Sequence, residues 1–189
     1  MSFTLLGILQ SQAAAAGGAG EYDLLETVEL TTTTTVSFTG LDSYTDYKHL
    51  QLRFTSGKAN GSGSNPTMYL RFNGDSGANY AWHNIGGNGS SVTGDGAYSG
   101  QTYLRLNDAI GGDSANGIFS AAVVDILDFS STTKNTTLRA LHGCVNASEK
   151  DIFLTSGLWN STSAVTSIEQ YVSDQSAGSR FSLYGIKGA

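Results

Sequence analysis

The chain contains few residue types that could form a catalytic or metal-binding centre. Its three histidines, His49, His83 and His142, are spread along the sequence without the short paired spacing of a zinc site. The single cysteine, Cys144, stands in an apolar stretch and has no second cysteine with which to form an internal disulfide. The sequence therefore predicts no catalytic residues, no metal site and no cofactor.

The tripeptide Gly-Asp-Ser occurs twice, at residues 74–76 and 112–114, and superficially matches the nucleophile motif of some lipases and esterases. A serine nucleophile of that kind needs a strand that leads into a helix, whereas both copies lie in turn-rich stretches. The side-chain oxygens of residues 73–79 could also bind calcium, but the carboxylate-rich order of a dedicated calcium loop is missing. We interpret both stretches as turns.

Aromatic side chains provide the best case for a binding surface. Tyr80 and Trp82 alternate on one predicted strand, so their rings share a face, and Trp159 ends another predicted strand beside an asparagine. Flat rings with amide neighbours suit stacking on a sugar or contact with a protein. The same rings could instead pack in the core, so a binding surface and a core position both remain open.

Residues 1–20 differ from the rest of the chain because they contain no charged residue and are apolar at the start and rich in Ala and Gly at the end. Helical spacing places Leu5, Ile8 and Leu9 on one face, which predicts an anchor for a partner, followed by a flexible lead into the domain. A secretory signal is an alternative, although it would need a basic start. A tail folded back on its own domain is another. The anchor residues are Phe3, Leu5, Leu6, Ile8 and Leu9.

The elements that would position these residues are strands. Only 14% of the residues are charged, and Gly, Ser, Thr and Asn abound, which favours short strands and tight turns. From residue 21 onward apolar and polar residues alternate, as at Leu50, Leu52 and Phe54. We expect one all-β domain over residues 21–189, an antiparallel β sandwich of jelly-roll type with an extended N-terminal arm.

The alternation predicts about ten strands. Residues 118–129 are apolar on both alternating sets until Asp125 and Asp128, which predicts a central strand covered on both faces, with a buried helix as the alternative. The polar stretches 57–66 and 86–100 are predicted loops, and pairs such as Asn73-Gly74 and Asp95-Gly96 are predicted turns. The predicted strands are residues 22–30, 35–39, 48–55, 67–73, 80–85, 102–106, 118–129, 136–145, 151–158, 165–172 and 180–186.

The charge balance limits the classes of partner. A net charge of −6 opposes binding to the phosphates of nucleic acid. No stretch approaches the roughly 20 apolar residues that cross a bilayer, so no membrane is expected as a partner. The sequence therefore favours a protein or glycan partner.

Several segments of the chain resemble small virion proteins of tailed bacteriophages, especially marine ones. The last predicted strand and the residues just before it have the sequence AGSRFSLYGIK, at residues 177–187. Three further segments are similar: YDLLET at 22–27, YKHLQLR at 47–53 and LRFNGD at 70–75. The N-terminal block before Glu21 resembles theirs as well, so the resemblance covers nearly the whole chain.

The resemblance implies a virion component with a jelly-roll-like domain. We expect this component to decorate or cement the capsid surface, with the major capsid protein or other virion subunits as its partners. A tail or tail-fibre protein is the first alternative. A carbohydrate-binding module for adhesion to a host glycan, built on the aromatic residues, is the second. Because closed assemblies protect sheet edges, we also expect a homo-oligomer, with a trimer as the expected form.

Overall fold

The chain folds into two antiparallel β-sheets that pack as a sandwich, as the sequence predicts. The computed structural model describes residues 21–32, 34–58, 67–107, 109–111, 114–146, 150–171 and 175–188. Apart from two single-turn 3-10 helices, the regular elements of these residues are strands. The strands are β1 (Tyr22–Glu29), β2 (Val36–Thr39), β3 (His49–Ser56), β4 (Met68–Phe72), β5 (Tyr80–Gly87), β6 (Val92–Gln101), β7 (Leu104–Leu106), β8 (Ser120–Leu127), β9 (Thr136–Val145), β10 (Lys150–Trp159), β11 (Ser167–Tyr171) and β12 (Arg180–Ile186).

The two sheets differ in width. The large sheet has eight strands in the order β1-β12-β3-β8-β9-β10-β5-β6, and the small sheet has four in the order β2-β11-β4-β7. Strands β1 to β5 alternate between the two sheets, and β7 and β11 are each a single strand in the small sheet between strands of the large sheet. The pairs β5–β6 and β9–β10 stay within the large sheet and widen it.

The inner faces of the two sheets form the core. Alternation in β3 and β4 directs Leu50, Leu52 and Leu70 inward, where they are fully buried. On β10, Gly157 lets the layers approach closely, since a Cβ at this position would lie 2.7 Å from Cδ2 of Leu104 on β7. Burial of this apolar surface is the main stabilising contribution to the sandwich.

Every predicted strand is present, with each end within two residues of the predicted end. The predicted loop at residues 86–100 is wrong, because most of it forms β6, and the predicted turn at Asp95-Gly96 lies inside that strand. Strand β6 is at the edge of the large sheet and pairs only with β5. Its residues are almost all exposed, so the strand shows no alternation of apolar and polar residues. The turn at Asn73-Gly74 is confirmed, with φ values of 55° and 65°.

The prediction that residues 118–129 are covered on both faces is also wrong for the described part of the structure. Strand β8 is central, between β3 and β9, and buries Ala122, Val124 and Ile126 against the small sheet. On the opposite face, Ala121 and Val123 are exposed. The sequence of β8 therefore suits burial on both faces, whereas the described residues cover only one of them.

Candidate binding surface on the large sheet

A row of four large apolar side chains crosses the outer face of the large sheet. Val123 on β8 lies opposite Leu141 on β9, which lies opposite Leu154 on β10, which lies opposite Ile85 on β5. Their exposed fractions are 39%, 54%, 53% and 51%, respectively. Because directly opposite residues on adjacent strands share a face, the four side chains form one continuous surface.

Three more exposed apolar residues enlarge this surface beyond the row. Ile152 and Val92 belong to the neighbouring row, and Val145 lies at the end of β9. We call the seven residues the outer patch: Ile85, Val92, Val123, Leu141, Val145, Ile152 and Leu154. Between Ala121 and Ile152 the neighbouring row contains Gly143, which has no side chain, and a depression of about 570 Å³ surrounds this position.

The outer patch is about as large as the surface that a short peptide covers. Five strands about 4.8 Å apart and three rows about 7 Å apart give an area of about 500 Å². Isolated apolar residues are ordinary on a protein surface, whereas a contiguous patch of this size often marks an interaction site. The outer patch is therefore the strongest candidate binding surface in the described residues.

Beside the outer patch, the outer face of β12 and β3 is mostly polar and forms its own hydrogen bonds, whereas Leu24 on β1 is apolar and 56% exposed. The Asp125 carboxylate accepts hydrogen bonds from Gln51 (2.6 Å) and from Arg139 (2.9 Å). The Arg53 guanidinium donates to the Gln51 side chain at 2.5 Å and lies over the ring of Tyr184, 4.7 Å from its centre. These contacts belong to a polar half of the outer face on β12 and β3, which lies between the outer patch and β1.

The aromatic contact surface predicted from the sequence is not formed by the predicted residues. Tyr80, Trp82 and Trp159 all point into the core and are at most 6% exposed. Strand alternation does place Tyr80 and Trp82 on one face, but that face is the one covered by the small sheet. Burial also raises the pKa of Tyr80 to about 12, and its hydroxyl donates to the backbone oxygen of Asp75.

The first Gly-Asp-Ser stretch has a structural role. The Asp75 carboxylate accepts hydrogen bonds from Trp159 Nε1 (2.7 Å), Asn79 Nδ2 (2.9 Å) and the Gly77 N–H (2.8 Å). The bond from Trp159 is the main cause that lowers the pKa of this carboxyl below its usual value, and burial opposes it. Asp75 thus fixes the turn after β4 to the end of β10.

The second Gly-Asp-Ser stretch falls only partly within the described residues, since residues 112 and 113 lie outside them. The hydroxyl of Ser114 donates to the backbone oxygen of Lys58. This bond ties the loop before β8 to the end of β3, as expected for a turn.

His142 belongs to a buried polar chain directly beneath the outer patch. Its Nε2 lies 2.9 Å from Oγ1 of Thr155, and the Thr155 hydroxyl donates to Oδ1 of Asn84 at 2.5 Å. Since the hydroxyl hydrogen is used on Asn84, the imidazole donates through Nε2. Burial lowers the pKa of His142 to about 4, against a smaller raising effect from the backbone of Asn107.

The three histidines do not come together. His142 is buried, His83 is exposed on the outer face, and His49 accepts a hydrogen bond from the Asp128 N–H through Nδ1 at 2.9 Å. Within the described ranges, no group of three or more His, Cys, Asp or Glu side chains is placed to hold a metal ion. Cys144 is buried on β9.

The predicted anchor residues Phe3, Leu5, Leu6, Ile8 and Leu9 lie outside the described residues. In the part of the chain that is described, no helix has the length and apolar character needed to cross a membrane.

No protein family model, curated protein or solved structure matches the chain. The site is therefore argued from its own residues. Sequence reasoning missed the outer patch as a surface, although two signals were present. Strands β8 and β10 carry apolar residues on both alternating sets, at Ala122-Val123-Val124 and at Ile152-Phe153-Leu154.

Replacing Trp159 with Phe should reduce stability more than the same replacement at Trp82. Trp159 donates to the Asp75 carboxylate, whereas Nε1 of Trp82 is buried without a hydrogen-bond partner among the described residues. Trp159→Phe should therefore lower the free energy of unfolding by at least about 1 kcal/mol more than Trp82→Phe, as measured by urea denaturation. Equal losses would contradict the assigned role of Asp75.

Stability should fall between about pH 6.5 and pH 4 because of His142. The folded state holds this imidazole neutral, so the unfolded state binds more protons in that interval and acid favours unfolding. Between pH 7 and pH 4.5 this effect amounts to about 2 to 3 kcal/mol. In His142→Gln the free energy of unfolding should decline less over the same interval, and an unchanged decline would show that His142 is not the titrating group.

Proposed function

We propose that this chain is a structural protein of a tailed-phage virion that decorates or cements the capsid through contacts with the major capsid protein. The outer patch is the observation that carries the proposal, because a rigid apolar sheet face of this size is suited to packing against protein. The resemblance of its strand segments to small phage virion proteins supplies the class of particle.

The strand order supports a jelly roll as the finer description of the sandwich. Without the hairpins β5–β6 and β9–β10, four strands of the large sheet remain in the order β1-β12-β3-β8, facing β2-β11-β4-β7. In a jelly roll of eight strands B to I, the sheets have the orders B-I-D-G and C-H-E-F, and these eight strands follow the same pattern. Jelly rolls are common in viral capsid proteins, although they also serve as lectin domains and cupins.

The polar groups that could suggest chemistry support a structural role. Asp75 holds a turn, Ser114 holds a loop, and His142 belongs to a buried chain with Thr155 and Asn84. The net charge of −6 suits a partner other than nucleic acid. The carbohydrate-binding alternative loses its platform, because Tyr80, Trp82 and Trp159 lie in the core.

The proposal is tested by locating the protein on particles produced by cells that encode it. Antibody labelling of the β domain should give a regular pattern over the capsid in electron micrographs. Label confined to the tail would replace the decoration proposal with the tail alternative. Absence from purified particles would overturn the virion proposal.

The apolar residues of the N-terminal segment should be required for attachment. Changing Phe3, Leu5, Leu6, Ile8 and Leu9 to Ser should reduce binding of the purified protein to undecorated shells at least tenfold, measured by co-sedimentation, because the apolar area available to the shell is lost. The matched control changes Ala13, Ala14, Ala15 and Ala16 to Ser and should bind as the parent chain does. Equal binding of both variants would contradict the anchor.

A further inference from the structure

We infer that the outer patch binds residues 3–9 of its own chain when the protein is not attached to a particle. The inference starts from β8, whose sequence is suited to burial on both faces while the described structure covers only one. Leu141 and Leu154 continue the same surface onto β9 and β10. A surface of this kind is stabilised when another apolar segment removes it from water.

The size of the patch favours a short segment over a second copy of the domain. A standard protein–protein interface takes about 800 Å² from each partner, more than the area of about 500 Å² estimated for the outer patch. A segment of seven residues is about 10 Å long as a helix and about 23 Å long when extended. Either form matches the dimensions of the patch.

The chemistry of the two surfaces is complementary. Residues 3–9 are Phe, Thr, Leu, Leu, Gly, Ile and Leu, and the first charged residue of the chain is Glu21. None of the seven residues of the outer patch is charged. The charges that border the patch are Arg53, which lies opposite Val123, Lys150, which lies opposite Val145, and Asp125 with Arg139, which pair with each other at 2.9 Å. Arg53 and Lys150 are exposed at the border, and an uncharged apolar segment brings no charge of its own into the patch.

The N-terminal segment joins the domain on the outer face, the same face that carries the outer patch. Tyr22, at the start of β1, lies on the outer face, since the Arg53 guanidinium is 5.5 Å from the centre of its ring. Its partner in β12 is Ile186, which pairs with His49 of β3. Counting strands and rows from this position gives a separation of about 23 Å between Tyr22 and Leu141.

The intervening residues span this distance. Residues 10–21 comprise twelve residues, which reach about 40 Å when extended. Most of them are Ala, Gly, Ser and Gln, so they suit a path over the polar half of the outer face. Because the segment is tethered to its own domain, its effective concentration near the patch is in the millimolar range, which favours docking within one chain over exchange between copies.

Disulfide trapping in the full-length isolated protein tests the inference. One variant combines Thr4→Cys with Ala121→Cys, which places a thiol beside the outer patch, in the row of Ile152, while keeping all of the large apolar residues of the patch. The other combines Thr4→Cys with Thr137→Cys, an exposed position of the same face outside the patch. Both carry Cys144→Ala, and the same pairs with Cys144 retained serve if that replacement prevents folding, because Cys144 is buried.

The geometry of the control makes the outcome decisive. Thr137 is about 19 Å from Tyr22 and Ala121 is about 25 Å away, so an undocked tether would reach Thr137 at least as fast. Docking predicts that the pair with Ala121→Cys closes within one chain at least tenfold faster. Adding Leu141→Asp and Leu154→Asp should reduce that rate to the rate of the pair with Thr137→Cys.

Two results would overturn the inference: equal or faster closure at position 137, or disulfides that form mainly between two copies. The test uses the unassembled protein, so its failure leaves the virion proposal to be decided by particle labelling, and the reverse also holds.

Discussion

The organisation of this protein depends on a mismatch in width between its two sheets. The large sheet has eight strands and the small sheet has four, and the small sheet covers the inner face alone. Apolar side chains nevertheless occupy both faces of β8, β9 and β10. Burial against the small sheet is the main source of the domain's stability, and the apolar residues on the opposite face form the candidate binding surface.

Buried polar groups of the domain hold the strands and turns in place around this mismatch. Trp159 and Asp75 join the end of β10 to the turn after β4, and His142, Thr155 and Asn84 link β9, β10 and β5 beneath the outer patch. The same three strands carry Leu141, Leu154 and Ile85 on their outer face. Hydrogen bonds on one face therefore help to fix the register that lines up the apolar row on the other.

Local sequence pattern predicts much of the fold. Alternation at Leu50, Leu52 and Phe54 identifies β3 and its inner face, because a strand with one covered face has a period of two. Strand β6 is not predictable in this way, since an exposed edge strand needs no apolar side. The rings of Tyr80 and Trp82 share a face as predicted, but only the packing of the small sheet decides that this face is internal. The apolar row depends on β5 pairing with β10, a contact between residues about 70 positions apart that no local pattern specifies.

The central claim is that the outer patch is a docking surface covered by the apolar N-terminal segment in the unassembled protein. A high-resolution structure of the full-length protein, determined while it is not attached to a particle, tests this claim most directly. The account predicts that side-chain carbons of residues 3–9 lie within about 4.5 Å of Leu141 and Leu154, the usual limit of an apolar contact. Ordered water over Leu141 and Leu154, with the segment placed elsewhere, would contradict it.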